Sequence, residues 1–213
     1  MQNHNTFDVK STMTITEQTD RIQPLRKLIH LSGATFPLLY LVAPYQVVLI
    51  ITLITLALVV VAEWARQRWS TLGRFFERLI GPALRKGESS KPTGGTWSML
   101  SILITVLICA RRWAIPAMFY AQLGDPAAEI VGRRWGRHRI PNGKSLEGSL
   151  ACFTVSVAVG LACCQVLPLA PAVAVLGAVV ATLAEALSLP PCDNLIMAPL
   201  AGFTMKLATS FTS

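Results

Sequence analysis

Apolar residues run through the chain in long stretches from residue 28 onward, and short polar segments separate one stretch from the next. A helix needs about 20 predominantly apolar residues to cross the hydrocarbon core of a bilayer. The stretches approach that length and predict seven spans, at residues 28–44, 45–62, 96–111, 113–131, 148–168, 170–188 and 195–211. Because the third and the last are short, we predict an all-α, polytopic transmembrane helical bundle of about seven spans (five to seven).

Two of the predicted spans carry polar groups that are costly in lipid. The first contains His30, Ser32 and Pro37, so we expect it to face the interior of the bundle. The fourth contains Gly124-Asp125-Pro126, which places an ionisable side chain beside a helix breaker. A carboxylate inside a predicted span marks Asp125 as a candidate site residue.

The first 25 residues differ from the rest of the chain in composition. They are rich in Thr, Gln and Asn and lack an apolar h-region, so we predict a disordered polar N-terminal tail at residues 1–25 without a cleavable signal peptide. Residues 26–213 then form a single transmembrane domain that carries every candidate catalytic residue. Only 14% of the chain is charged, whereas soluble domains carry about 25%.

The interpretation of the net charge of +8 depends on where the basic residues lie. They gather between apolar runs, mainly from Arg66 to Lys91 and from Arg133 to Lys144, as in cytoplasmic loops of membrane proteins. We therefore expect a multi-pass protein with a cytoplasmic N-terminus and no nucleic-acid partner. Arg111 and Arg112 oppose this bias, because the same order of spans across the bilayer places them on the side away from the cytoplasm.

The order of spans across the bilayer also places polar positions from different spans at the cytoplasmic face, where we expect the active site. These positions are His30, Glu63, Gly94, Gly95, Asp125, Lys144, Glu185, Asp193 and Asn194.

The segment from Gly124 to Ser149 has the chemistry of a phosphate site. Gly132 and Gly136 allow a backbone to approach a ligand closely, and Lys144-Ser145 stands at a predicted helix start. The segment also holds five cations, Arg133, Arg134, Arg137, Arg139 and Lys144. Asp125 supplies oxygen ligands for a hard divalent cation, with Glu129 one turn further on. The segment predicts a nucleoside triphosphate site without a Walker A loop.

These motifs resemble the signature of the CTP-dependent polyprenol kinase family, which includes dolichol kinase, phytol kinase and CTP-dependent diacylglycerol kinase. The central part of the resemblance is Gly124-Asp125 with Gly132-Arg133-Arg134-Trp135-Gly136, followed by Lys144-Ser145-Leu146-Glu147-Gly148-Ser149. Arg26-Lys27-Leu28-Ile29-His30 is similar to the family's opening motif, and Asp193-Asn194 is similar to its closing element.

The resemblance implies a kinase that transfers the γ-phosphate of CTP to a membrane lipid alcohol, which is a polyprenol or dolichol, phytol or diacylglycerol, with Mg²⁺ as cofactor. The implied catalytic residues are Asp125, Lys144, Glu185 and Asp193, and the implied metal ligands are Asp125 and Glu185. The implied CTP-binding residues are Arg26, Lys27, His30, Gly132, Arg133, Gly136, Ser145, Glu147 and Asn194. The acceptor lipid, the carboxylate that activates its hydroxyl and the oligomeric state stay open.

Two alternatives remain. The Lys-Ser-x-Glu-Gly-Ser string also resembles phosphatidate cytidylyltransferases, which make CDP-lipids and release pyrophosphate, but the chain lacks their Pro-Gly-His-Gly-Gly run. A small transporter with a basic cytoplasmic mouth needs polar residues through the full depth of the membrane. Residues 46–62 and 150–187 lack such a path, which disfavours the transporter.

Overall fold

The computed structural model describes residues 24–69, 73–74, 92–187 and 192–211, and for residues 24–26, 192 and 193 it describes the backbone alone. Residues 1–23, nearly all of the predicted tail, and most of the basic segment before residue 92 lie outside these ranges. Nine α-helices have described bounds: α1 Pro24–Ser32, α2 Thr35–Val42, α3 Tyr45–Arg68, α4 Gly94–Ile108, α5 Arg111–Phe119, α6 Asp125–Trp135, α7 Leu146–Cys164, α8 Pro171–Leu187 and α9 Cys192–Ser210. A π-helical turn at Tyr120–Gly124 joins α5 to α6.

The predicted all-α class is confirmed for the described residues, which contain no strand. Within the same ranges, α3 and α7 are long and apolar enough to cross a bilayer. Shorter apolar helical segments lie at Lys27–Val42, Gly94–Ile108 and Pro171–Leu187. The number of spans therefore stays a prediction.

The first predicted span is divided into two helices. A turn at Gly33 and Ala34 separates α1 from α2, and the hydroxyls of Ser32 and Thr35 bond to the carbonyls of Ile29 and Ser32 beside it. Gly33 packs so closely on the π turn that a Cβ atom there would stand 2.3 Å from Gln122 Oε1. A side chain at residue 33 would force Gln122 to move, so glycine suits this close approach of α1 to the π turn.

The fourth predicted span continues through Pro126 as a wider helix. In a π-helix a carbonyl accepts from the N–H five residues later, and for Ala121 that residue is Pro126, which has no N–H. His30 Nε2 lies 3.2 Å from the Ala121 carbonyl oxygen and supplies a donor in its place. Through His30, α1 thus supplies the donor that Pro126 lacks.

The bundle has two chemically different ends. At one end α3, α6 and α8 finish and α4, α7 and α9 begin, and all five carboxylates with described side chains lie in this half: Glu63, Asp125, Glu129, Glu147 and Glu185. We call it the site end. At the opposite end, which we call the far end, α2 and α4 finish and α5 begins. Arg111 bonds to the Leu41 carbonyl there, and Lys206 bonds to the Ile108 carbonyl at 3.1 Å.

Candidate active site at the site end

Lys27, Glu129 and Arg133 form a charge cluster between α1 and α6. Lys27 Nζ bonds to Glu129 Oε2, and Arg133 Nη2 lies 2.9 Å from Glu129 Oε1, one helical turn away. The Lys27 side chain is only 9% exposed, so the pair fixes α1 on α6 away from bulk water. Two cations about one carboxylate give this cluster a net positive charge, which suits an anionic ligand.

Asp125 and His30 lie one helical turn further into the bundle. His30 Nε2 stands 3.8 Å from Asp125 Oδ2, and both side chains are mostly buried. None of the hydrogen bonds made by the described residues reaches the Asp125 carboxylate. Its oxygen atoms are therefore available to a ligand, which distinguishes Asp125 from the other carboxylates of the site.

A short hairpin between α6 and α7 carries Lys144. It is closed by an isolated bridge between Arg139 and Ser145, and by a turn in which Gly143 adopts a φ of 85°. A positive φ of this size favours glycine, and the Pro141-Asn142-Gly143 run has the residues such a turn requires. The sequence thus builds a tight loop that returns the chain to α7.

The hairpin docks on the last turn of α8. Lys144 Nζ lies 3.0 Å from Glu185 Oε1 and also bonds to the Glu185 carbonyl. Asn142 Nδ2 donates to the Ala186 carbonyl at 2.5 Å, and Ser149 Oγ donates to Glu185 Oε2 at 3.5 Å. A cation and an amide thus satisfy carbonyls at the negative end of the α8 dipole.

Ser145 and the glycines of α6 form a tight seam between α6 and α7. Ser145 is the N-cap of α7, and its Oγ accepts from Gly148 N at 3.1 Å. A Cβ atom on Gly136 would stand 2.2 Å from the Gly132 carbonyl oxygen and 2.6 Å from Ser145 Oγ. The close approach inferred for Gly132 and Gly136 is thus made by Ser145, and their contact with CTP stays a prediction.

Glu147 and Glu63 each accept hydrogen bonds at the start of a following or preceding segment. Glu147 Oε1 lies 2.7 Å from His138 Nδ1 and accepts from the His138 N–H, which fixes the start of the hairpin. Glu63 Oε1 accepts from Thr93 N at 2.9 Å and from Thr96 Oγ1 at 3.0 Å. Glu63 thereby connects the end of α3 to the start of α4.

The predicted site residues fall into two groups. One group, on α1 and α6, contains Lys27, His30, Asp125 and Arg133, and the other, around the hairpin, contains Lys144, Ser145, Glu147 and Glu185. Asn194 is buried in the first turn of α9, and the side chains of Arg26 and Asp193 lie outside the described part of the chain.

Sequence analysis did not identify Asn142 or Ser149 as site residues. Asn142 had a signal, since Asn-Gly marks a turn, but its bond to Ala186 joins residues 44 positions apart. No described contact joins the predicted metal ligands Asp125 and Glu185. Glu185 contacts Lys144 and Ser149, and the metal pair stays a prediction. Among the described residues no three His, Cys, Asp or Glu side chains form a metal-binding group.

No protein-family model and no solved structure matches the chain. Similarity to curated proteins covers about two thirds of it. The chain is 30% identical over 145 residues to CTP-dependent diacylglycerol kinase 1 of Schizosaccharomyces pombe, which covers 66% of this chain and 65% of that protein. Identity to the proteins of the same name from Saccharomyces cerevisiae and Eremothecium gossypii is 28% over 137 residues and 29% over 136 residues. These two alignments cover 62% of this chain, and 47% and 43% of the relatives.

The resemblance to the CTP-dependent polyprenol kinase family is confirmed by these relatives. Within that family, all three carry the name of the CTP-dependent diacylglycerol kinases. The chain spans 65% of the first relative and less than half of the other two.

Proposed function

We propose that this chain is a CTP-dependent lipid kinase that phosphorylates the hydroxyl of a membrane lipid alcohol, with diacylglycerol as the favoured acceptor. The observation that carries the proposal is the gathering of Lys27, Arg133 and Lys144 around mostly buried carboxylates at one end of an apolar helical bundle. Phosphoryl transfer needs positioning and charge neutralisation more than covalent catalysis. The names of the relatives favour CTP as donor and diacylglycerol over a polyprenol or phytol.

The proposal places the bundle in a bilayer as a multi-pass protein with the site end facing the cytoplasm. The length and hydropathy of α3 and α7 support this placement. So do the exposed apolar side chains along α3, such as Ile50, Ile54 and Leu58, which a water-soluble surface would not gather on one helix. The lipid hydroxyl and the cytosolic nucleotide then meet at the cytoplasmic interface.

Asp125 is the residue that fits a magnesium ion. Mg²⁺ is usually held by one or two carboxylates together with substrate phosphates, so a three-residue protein cluster is not required. Asp125 has a partly exposed carboxylate that the described hydrogen bonds leave open, whereas Glu185 is bonded to Lys144. When bound, the ion would neutralise charge on the phosphates, and Lys27, Arg133 and Lys144 would hold the remaining phosphate oxygens.

The reaction forms a bond between the lipid hydroxyl oxygen and the γ-phosphorus of CTP. The bond from that phosphorus to the bridging oxygen breaks, CDP leaves, and the hydroxyl proton passes to a carboxylate of the site. His30 positions Asp125, because its Nε2 bonds to the carbonyl of Ala121, one helical turn before Asp125, and lies 3.8 Å from the Asp125 carboxylate.

The test is a transfer assay with the purified chain, Mg²⁺, and CTP labelled either at the γ- or at the α-phosphate. Diacylglycerol, dolichol, phytol and phosphatidate are offered separately. We expect γ-label in diacylglycerol and CDP as the second product. Label from the α-phosphate in lipid, with release of pyrophosphate, would instead indicate a cytidylyltransferase, and γ-label in dolichol or phytol alone would change the acceptor.

A further inference from the structure

The described part of the far end carries an excess of positive charge. Arg111, Arg112 and Lys206 all lie there, and none of the carboxylates with described side chains does. In the proposed topology this end faces away from the cytoplasm, where arginine and lysine are disfavoured. These cations are therefore not explained by the orientation of the protein.

Each of the three cations has a local partner. Lys206 Nζ donates to the Ile108 carbonyl at the end of α4, where a cation suits the helix dipole. Arg112 stacks on the ring of Trp113, with its guanidinium carbon 4.3 Å from the ring centroid. Arg111 donates from Nη2 to the Leu41 carbonyl and lies 5.9 Å from the Tyr40 ring centroid. A guanidinium has five N–H donors, so the bond to Leu41 leaves other donors of Arg111 for a ligand.

Arg111 also lines a cleft of about 510 Å³. The other lining residues are apolar: Leu41 at the end of α2, and Val166, Leu167 and Pro168 in the connection between α7 and α8. Val166 and Arg111 are exposed, while Leu41 and Leu167 are partly buried. The cleft thus combines one cation with an apolar wall, and its volume falls in the range of small-molecule sites.

We propose that this cleft binds an anionic phospholipid of the leaflet opposite the active site. The phosphate would bond to Arg111, and the first part of an acyl chain would lie along Leu41, Val166 and Leu167. Arg111 lines the cleft, and no carboxylate with a described side chain lies at the far end, which favours a headgroup with net negative charge over a zwitterionic one. The proposal uses the membrane placement given above but not the kinase activity.

The test measures lipid binding without CTP, by native mass spectrometry of the purified chain titrated with phosphatidylglycerol or phosphatidylcholine. Arg111→Gln should weaken phosphatidylglycerol binding about tenfold, the effect of losing one charge-assisted contact. Arg112→Gln is the matched control, because it removes a cation from the same end without changing the cleft, and its affinity should equal that of the wild type. Val166→Trp keeps all charges but narrows the cleft, and it should also weaken binding.

Three results would overturn the proposal. The first is unchanged phosphatidylglycerol affinity in both Arg111→Gln and Val166→Trp. The second is an equal loss in Arg111→Gln and Arg112→Gln, which would mean general attraction to a positive surface. The third is equal affinity of the wild type for phosphatidylglycerol and phosphatidylcholine. Because no turnover is measured, failure here is separate from failure of the kinase proposal.

Discussion

Lys144 contacts Glu185 and is also proposed to bind CTP, and these two roles can be tested separately. The two side chains are 19% and 6% exposed, with 3.0 Å between Nζ and Oε1. Exposed ion pairs contribute about 0.2–1 kcal/mol, and breaking a buried pair costs about 3–5 kcal/mol. The intermediate burial of this pair predicts that Lys144→Ala lowers the free energy of unfolding by about 2 kcal/mol.

A double-mutant cycle isolates the contribution of the pair. Glu185→Gln keeps an oxygen that accepts from Lys144, so it should cost less than about 1 kcal/mol. Once the Glu185 charge is removed, Lys144→Ala should cost about 1 kcal/mol less than in the wild type, because the mutated residues are in contact. Denaturant unfolding in one fixed detergent, with all four proteins, provides the measurement.

The same variants are then assayed for transfer from CTP. If Lys144 also holds a phosphate, Lys144→Ala should raise the KM for CTP about tenfold and change kcat less. Arg139→Gln removes an exposed cation from the same hairpin and should leave both quantities near the wild type. Additive free energies in the cycle would refute the structural contact, and an unchanged KM in a folded Lys144→Ala protein would refute the phosphate role.

Two further predictions concern Asp125 and the glycine seam. Asp125→Asn should lower turnover about a hundredfold or more. Its unfolding transition should stay near that of the wild type, because no described hydrogen bond is lost. Retained turnover would exclude a metal role. Gly136→Ala should destabilise the fold by about 1–3 kcal/mol through contact with the Gly132 carbonyl and Ser145. Gly95→Ala is its control, because the new Cβ would lie 3.6 Å from its nearest neighbour, and equal stability of the two variants would contradict the packing at Gly136.

The sequence was sufficient to predict the helices because long apolar runs have few alternatives to a helical bundle. Each predicted span contains helix in the described residues, including the fourth, which holds Asp125 and Pro126. The division of the first span at Gly33 was not predicted. Gly33 packs closely on Gln122 at the division, and a hydrophobic pattern carries no information about contacts between residues far apart in the sequence.

The candidate residues could be listed from the sequence but their arrangement could not, and their role as a site stays a prediction. Charges placed near one face by the order of spans do occur at one end of the bundle, including Lys27, Asp125 and Glu185. Their pairing was not readable, since Lys27 meets Glu129 across 102 positions and Lys144 meets Glu185 across 41. Which cation neutralises which carboxylate depends on helix packing, for which a single sequence carries no direct signal.

In α1, a helix of nine residues, polar side chains face the rest of the bundle and apolar side chains are exposed. Lys27 and His30 face α6 and the π turn, while Leu28, Ile29 and Leu31 are 66%, 43% and 38% exposed. The break at Gly33 separates α1 from α2, so α1 depends on its charged contacts on one side and on an apolar environment on the other. Stripping lipid from the purified protein removes that second support. Activity should therefore fall before helix content does, and added lipid should restore it.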